Sequence, residues 1–275
     1  MGPEPSVDAY ARIAEWYDVE HDGLGEDVEC LASLLVAPPS GRAAVLEIGA
    51  GTGRIAAALA TAGHEVTGVE PSARMRERGG PRLARLPERV RRRIRIVPGT
   101  ATEPGLPAGT LFDAVIFGLN ALAHLTSADE RGRALRVARD HLRPEGQLLI
   151  DLDISGPRWL LETAHQLWWQ GSWPLGDGDA RGDQDQREQV THFVTGAQGQ
   201  PGLLTVTHIY DVHTQGGVVR RTQTRMTLAL LARGEVELAL LHAGFAVAAV
   251  YGGYDLAVYD DLSARAIFDA RSRRA

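Results

Sequence analysis

The sequence predicts an α/β fold: a mostly parallel sheet covered by helices, preceded by an N-terminal helical cap and interrupted late by a mainly antiparallel β insertion. Three observations carry this reading. From Ala43 onward, short apolar runs alternate with helical stretches at the spacing of βαβ units. A glycine-rich turn, "EIGAGTGR", joins the first of those strands to the first helix. After Ser155 the texture changes to period-two alternation, and the segment from about Pro157 to Arg233 holds four of the five tryptophans.

The elements follow in chain order. "DAYARIAEWYD" and "VECLASLLV" read as helices joined by the turn "HDGLGED" and stopped by Pro38 and Pro39. "AAVLEIG" is the first strand, "RIAAALATAG" a helix closed by Gly63, "HEVTGVE" the second strand, and "SARMRERGGPRLARL" mostly helical. "IRIVPG" is a short third strand, "FDAVIFGLNAL" the fourth, "SADERGRALRVARDHL" an amphipathic helix and "GQLLIDLDI" the fifth. "LLTVTHIYDVH" and "VVRRTQTRMTLAL" alternate as antiparallel strands do. "GEVELALLHAGF" is again a helix with a glycine stop, followed by strands at "AVAAVYGGYD" and "ARAIFDARS". The expected organisation is a cap over 1–40, an α/β core over 41–156 and 234–275, and a β-rich insertion over 157–233 that closes over the substrate. The low-complexity stretch "GDGDARGDQDQREQ" reads as a flexible acidic loop.

Composition narrows the function classes. The chain has 275 residues, 44% hydrophobic and 23% charged, enough for one globular unit with a sizeable core. A net charge of −6 gives no overall attraction to nucleic acid or an anionic membrane, so small-molecule partners are expected. The one basic run, "RLPERVRRRIRIV", has no interleaved aromatics to stack bases and fits a solvated helix face leading into an edge strand. Cys30 is the only cysteine, which leaves no intramolecular disulfide framework and no cysteine-based zinc cluster. No cationic leader or run of 18 apolar residues is visible, and "PEPS" after Gly2 is a poor context for myristoylation; a cytoplasmic protein, monomer or homodimer, is the expectation.

The glycine turn names a cofactor only together with its surroundings. A dinucleotide site built on Gly-x-Gly-x-x-Gly needs glycine at position 54, and that position is Arg54. The actual spacing, Gly49, Gly51 and Gly53 behind Glu47, is the one associated with S-adenosylmethionine. Glu70 ends the second strand 21 positions after Gly49, where a carboxylate can accept hydrogen bonds from both ribose hydroxyls.

"VLEIGAGTGRIAAALATAGHEVTGVEPSARM" closely resembles the first motifs of class I S-adenosylmethionine-dependent methyltransferases. The resemblance implies a Rossmann-like seven-stranded sheet, mostly parallel with its last strand antiparallel, and S-adenosyl-L-methionine as cofactor. It places Glu47 near the methionine amino group, Gly49 and Gly51 along the methionine and ribose, Glu70 on the ribose and Met75 on the adenine. Where the family often has an aspartate for the adenine amine, "VPGTATE" offers Thr100 or Thr102. The full implied cofactor set is Tyr17, Glu47, Gly49, Ala50, Gly51, Arg54, Glu70, Pro71, Met75, Thr100, Ala101, Phe117 and Asn120.

Acceptor-side expectations rest on three further segments. "GLNALAHL" is similar to a segment of glycine N-methyltransferase-like enzymes; Asn120 can then orient substrate or cofactor, and His124 is either catalytic or a helix-start residue satisfied by backbone. "EWYDVEHDGLGEDVECL" resembles the cap of small-molecule methyltransferases, including aminosugar N-methyltransferases, which puts Tyr17 over the methyl-transfer site unless it is a core tyrosine. In "THIYDVH", His208 and Tyr210 share one strand face with Val206 and Val212, while Asp211 and His213 share the other, so only one pair can face a pocket. The catalytic candidates are therefore Tyr17, His124, His208 and Tyr210, against a solvated strand with surface histidines as the plainer reading of the last two. Tyr251, Tyr254 and Asp255 end a late strand near the same pocket, and the tryptophans of "RWLLETAHQLWWQGSW" either line an aromatic pocket or form a small core. Gly118 and Leu119 stand where metal-dependent relatives carry acidic ligands, so no metal is expected, and Asp151 and Asp153 alone do not make a site.

These features lead to methyl transfer onto an N, O or C atom of a small molecule, in a natural-product setting. The rival is a protein of the same fold that binds S-adenosylmethionine for a non-methylating step such as cyclisation. A nucleic-acid methyltransferase would need the Asn/Asp-Pro-Pro-aromatic signature, which the fourth strand lacks.

Overall fold

The computed structural model describes residues 6–154, 166–175, 188–198, 200–214 and 217–273; Trp159 and most of the acidic "GDGDARGDQDQREQ" stretch lie outside them. Helices α1 (Ser6–His21) and α2 (Glu26–Leu34) come first. Then follow β1 (Ala44–Ile48), α3 (Arg54–Ala62), β2 (Glu65–Val69), α4 (Ala73–Ala84), the short α5 (Glu88–Arg91), β3 (Ile94–Val97) and β4 (Phe112–Phe117). A 3-10 turn (Ala121–His124), α6 (Ala128–Asp140) and β5 (Leu142–Asp153) complete the first half. The second half holds β6 (Trp168–Pro174), β7 (Gln189–Gln198), β8 (Leu203–His213), β9 (Val219–Ala229), α7 (Arg233–His242), β10 (Phe245–Tyr251) and β11 (Arg265–Ser272).

Seven strands form the main sheet in the order β10-β11-β5-β4-β1-β2-β3. β1 to β5 pair in parallel, and β11 runs antiparallel between β5 and β10. The parallel part matches the alternation of strands and helices, and the seven-stranded Rossmann-like form, with its last strand antiparallel, is the one the resemblance implied. The strands are buried on both faces, so they read as near-continuous apolar runs, as in "AVLEI" and "FDAVIF". One core packs α6 and α7 against one face around Leu135, Leu148, Phe245 and Phe268; the other packs α2 and α3 around Leu31, Leu59 and Ile116.

Helix ends follow local chemistry. Ser72 caps α4 by accepting a hydrogen bond from the Met75 amide (3.4 Å), and Ser127 caps α6 by accepting one from the Glu130 amide (3.1 Å). α3 starts at Gly53 and stops at Gly63, both left-handed. β4 ends at Phe117, earlier than "FDAVIFGLNAL" implied, because Leu119 and Asn120 both turn to positive φ (41° and 65°) before the 3-10 turn.

β6 to β9 make a separate antiparallel sheet in sequential order. Helix α1 lies between the two sheets' elements. Ala9, Ile13 and Trp16 pack on Val190, Tyr210, Val212 and Met226 of the second sheet, while Asp18 reaches the glycine turn and α4. Trp173 packs against this cluster, whereas Trp168 and Trp169 stay 42% and 62% exposed on the edge strand, in neither the core nor the pocket suggested for them. Among the described residues, no helix is long and apolar enough to cross a membrane.

Candidate active site

The carboxyl ends of β1, β2 and β4 open onto a cavity of about 220 Å³. In this fold, that edge is where backbone amides and a helix N-terminus are free to meet a ligand. Gly49, Gly51 and Gly53 all adopt left-handed φ (75°, 58° and 78°), which brings bare backbone up to the cavity floor. A Cβ on Gly51 would stand 3.6 Å from Met75 Cε and 3.9 Å from the Tyr17 ring. Behind the turn, Gly79 of α4 packs so closely that a Cβ there would meet the Thr52 carbonyl at 2.5 Å.

Two carboxylates face this cradle in different states. Glu70 accepts hydrogen bonds from the amides of Gly51 (2.9 Å) and Ser72 (2.8 Å). Burial raises its pKa, although those two amides pull the other way. Glu47 is 2% exposed, and its Oε2 has no hydrogen-bond partner among the described residues. Burial pushes Glu47 up to about 8, against the nearby Arg54. Arg54 is itself held by Asp27 (Nη1 to Oδ1, 2.9 Å, with Nη2 on Oδ2) and by the Leu24 carbonyl (2.7 Å).

The roof comes from α1 and the 3-10 turn. Tyr10 and Tyr17 lie one above the other on α1, and both line the cavity. The Tyr10 hydroxyl lies 3.0 Å from Nε2 of His124, whose Nδ1 has no partner among the described residues. Burial lowers His124 to about 4 and pushes both tyrosine phenols up. Asp18 ties the helix down by accepting from the Thr52 hydroxyl (2.6 Å) and from Arg82 (2.6 Å).

Of the residues singled out from the sequence, Tyr17, Glu47, Gly49, Ala50, Gly51, Arg54, Glu70, Pro71, Met75, Thr100, Ala101 and His124 line this one cavity. Phe117 does not; its side chain is fully buried in the core between the sheet and α6. Asn120 does not line it either: its Oδ1 accepts from the Asp153 amide (2.5 Å), and its own amide donates to the Asp151 carbonyl. His208 and Tyr210 lie on the second sheet facing α1, outside the cavity lining. Thr102 meets Thr100 at 3.3 Å. Tyr254 donates to Asp151 (3.1 Å), Asp255 accepts from the Ala257 amide (3.1 Å), and Tyr251 bridges to Val258, all away from the lining. Sequence reading missed Tyr10, Asp18, Glu20 and His192. Tyr10 stands two helical turns before Tyr17, and Asp18 directly follows it in the cap segment that marked Tyr17; nothing local distinguishes Glu20 or His192.

The donor set fits S-adenosylmethionine. A buried carboxylate oxygen without a partner suits an ammonium group, and a carboxylate at the end of β2 suits a ribose. A seven-stranded sheet with a glycine turn and these two carboxylates is an arrangement that suits a methyltransferase. Residues 46–148 match the model of a family described as "Methyltransferase domain". This match and the sheet order are consistent with the class I S-adenosylmethionine-dependent methyltransferases.

Among solved structures, the CcbJ methyltransferase from Streptomyces caelestis is 25% identical, with a TM-score of 0.69 over 99% of this chain and 92% of that one. The amino pentose methyltransferase CalS10 from Micromonospora echinaspora, of calicheamicin biosynthesis, is 21% identical, with a TM-score of 0.64 over 98% of each chain. The sugar N-methyltransferase KedS8 from Streptoalloteichus sp. is 19% identical, with a TM-score of 0.69 over 94% of this chain and 93% of that one. The last two are likenesses of fold. No curated protein matches the sequence.

Proposed function

We propose that this methyltransferase acts on a small molecule and that the acceptor atom is an amine nitrogen. The observation that carries the choice is the chemistry of the roof. Tyr10, Tyr17 and His124 are the titratable groups that α1 and the 3-10 turn present to the cavity. Burial makes both phenols weaker acids and makes His124 a base of pKa about 4. Groups shifted in these directions are poorly matched to taking the proton of an alcohol at neutral pH. An amine has only to be neutral when it attacks; its ammonium form loses that proton to water before binding, so no strong base is needed in the site.

When bound, S-adenosylmethionine supplies a methyl group on a positively charged sulfur. The residues of this chain then have to align the acceptor and exclude water. In this reading Glu47 holds the amino group and Glu70 the ribose, while Met75, Pro71, Thr100 and Ala101 enclose the adenine. Tyr10, Tyr17 and His124 shape the dry space above the reacting methyl. The similarity to sugar and amino pentose methyltransferases supports an amine-bearing sugar as the first substrate to try.

The test is incubation with methyl-labelled S-adenosylmethionine and a panel of aminosugars, simple amines, phenols and sugars without amines. Label appearing on nitrogen is the expected result. Label on oxygen alone, or tight cofactor binding with no transfer to any amine, would overturn the reading.

A further inference from the structure

Among the described residues that line the cofactor cavity, three carry a carboxylate: Glu47, Glu70 and Glu130. The first two stand at the ends of β1 and β2 and suit the amino group and the ribose. Glu130 has no part in that arrangement. It belongs to the first turn of α6, where a helix N-terminus favours a carboxylate, and its own amide is taken by the Ser127 cap. It is half-buried, and among the described residues its carboxylate makes no hydrogen bond or ion pair. The cations beside it are engaged elsewhere: Arg131 with the Leu125 carbonyl (2.8 Å) and Glu235 (2.6 Å), and Arg133 with Asp129 (3.3 Å).

The packing of α6 sets this carboxylate beside the end of the cavity read above as the adenine site. The lining passes from the glycine turn to Pro71 and Met75 and on to Thr100 and Ala101, which follow β3. Ala101 and Leu125 belong to one apolar cluster, and Arg131 ties the Leu125 carbonyl to the first turn of α6. The start of α6 therefore borders the wall that Ala101 forms. That wall lacks an acidic residue of its own. The Thr100 hydroxyl is engaged within its turn, accepting from the Glu103 amide (3.0 Å) and meeting the Thr102 hydroxyl at 3.3 Å, and neither Thr102 nor Glu103 lines the cavity.

We propose that Glu130 accepts a hydrogen bond from the 6-amino group of the cofactor's adenine, so that α6 supplies the acceptor that the turn after β3 does not. The inference rests on the S-adenosylmethionine reading of the cavity and adds a base-specific contact to it. An ionised carboxylate only accepts hydrogen bonds, so it suits an exocyclic amine and repels the 6-oxo group of a guanine or hypoxanthine base. No proton changes hands in this contact. The ribose separates it from the sulfonium, so it acts on cofactor affinity and on the choice of base, and leaves the methyl-transfer step to the groups of the roof.

The experiment is calorimetric titration of the full chain with two ligands: S-adenosylhomocysteine, and its purine analogue in which hydrogen replaces the 6-amino group. Wild-type protein should bind the first at least about tenfold more tightly. Glu130→Ala should lose at least about tenfold in affinity for S-adenosylhomocysteine yet bind the desamino analogue within about twofold of wild type, because the two changes remove the same contact. Glu130→Gln keeps an acceptor oxygen and should retain a preference of about threefold or more for the amine. Equal weakening of both ligands by Glu130→Ala would mark a structural role and overturn the proposal, as would an unchanged affinity for S-adenosylhomocysteine. A raised KM for a methylated aminosugar in Glu130→Ala, with cofactor affinity unchanged, would assign the carboxylate to the acceptor instead. Wild-type protein that binds neither ligand overturns the cofactor reading and this proposal together, whereas the comparison of the two ligands decides the role of Glu130 whether or not any amine is methylated.

Discussion

Glu47 and Glu70 occupy similar positions at the ends of neighbouring strands but behave differently. Glu70 spends both oxygens on backbone amides, whereas Glu47 keeps one without a partner in a site that favours its protonated form. Because its folded pKa is raised to about 8, folding favours protonated Glu47, and that contribution to stability is lost as pH rises through about 8. A ligand with an ammonium group needs the ionised form. Binding of S-adenosylhomocysteine at pH 7 should therefore release close to one proton, seen as a calorimetric enthalpy that varies with the ionisation enthalpy of the buffer. Its affinity should rise by up to about tenfold per pH unit from 6 to 8 and then level off. Glu47→Gln should abolish the proton release. Glu70→Ala should weaken binding by about 10- to 100-fold, the loss expected for charge-assisted hydrogen bonds, as measured by the same titration.

Among the elements, α1 was legible as a helix, but its role came from what it touches. Asp18 holds it to the glycine turn through Thr52 and to α4 through Arg82. Asp18→Ala should cost about 1–3 kcal/mol in urea unfolding, because the buried Thr52 hydroxyl loses its acceptor and the half-buried Arg82 is left with Asp22 alone. The turn after β4 is a second case. Its Leu119 amide donates to Asp151 (3.2 Å), a fully buried carboxylate that also accepts from Arg265 (2.5 Å) and Tyr254 (3.1 Å). Asp151→Ala removes the carboxylate bonded to Arg265 and leaves it only the neighbouring Asp153, and should cost about 3–5 kcal/mol by the same measurement. Asn120→Gly trades one side-chain hydrogen bond for relief of a left-handed φ and should stay within about 1 kcal/mol of wild type. Alternation of apolar residues placed β4 correctly. The turn was misread as strand because Leu119 gives no local warning of positive φ and the apolar run masked the left-handed preference of Asn120.

Across the whole molecule, α1 links the cofactor cavity to the second sheet, with Tyr17 at one side and Trp16 at the other. Ligand binding in the core should therefore be felt beyond it. Adding S-adenosylhomocysteine should slow amide hydrogen exchange in α1 and also in β7 and β8, which the cofactor does not touch; protection confined to the glycine turn and α4 would show that the two sheets are uncoupled. The sequence by itself determined the parallel core, the glycine turn and its carboxylates, because these depend on short spacings: three glycines at alternate positions and strands of five or six residues. The antiparallel character of the insertion was legible for the same reason, through its period of two. Only the tertiary structure decided the roof and the contact between α1 and the second sheet. Tyr10 meets His124 across 114 positions and Tyr210 meets Glu20 across 190, and pairings at such separations leave no periodic trace in the sequence. They arise when α1 packs between the two sheets, where burial decides which polar groups must find each other.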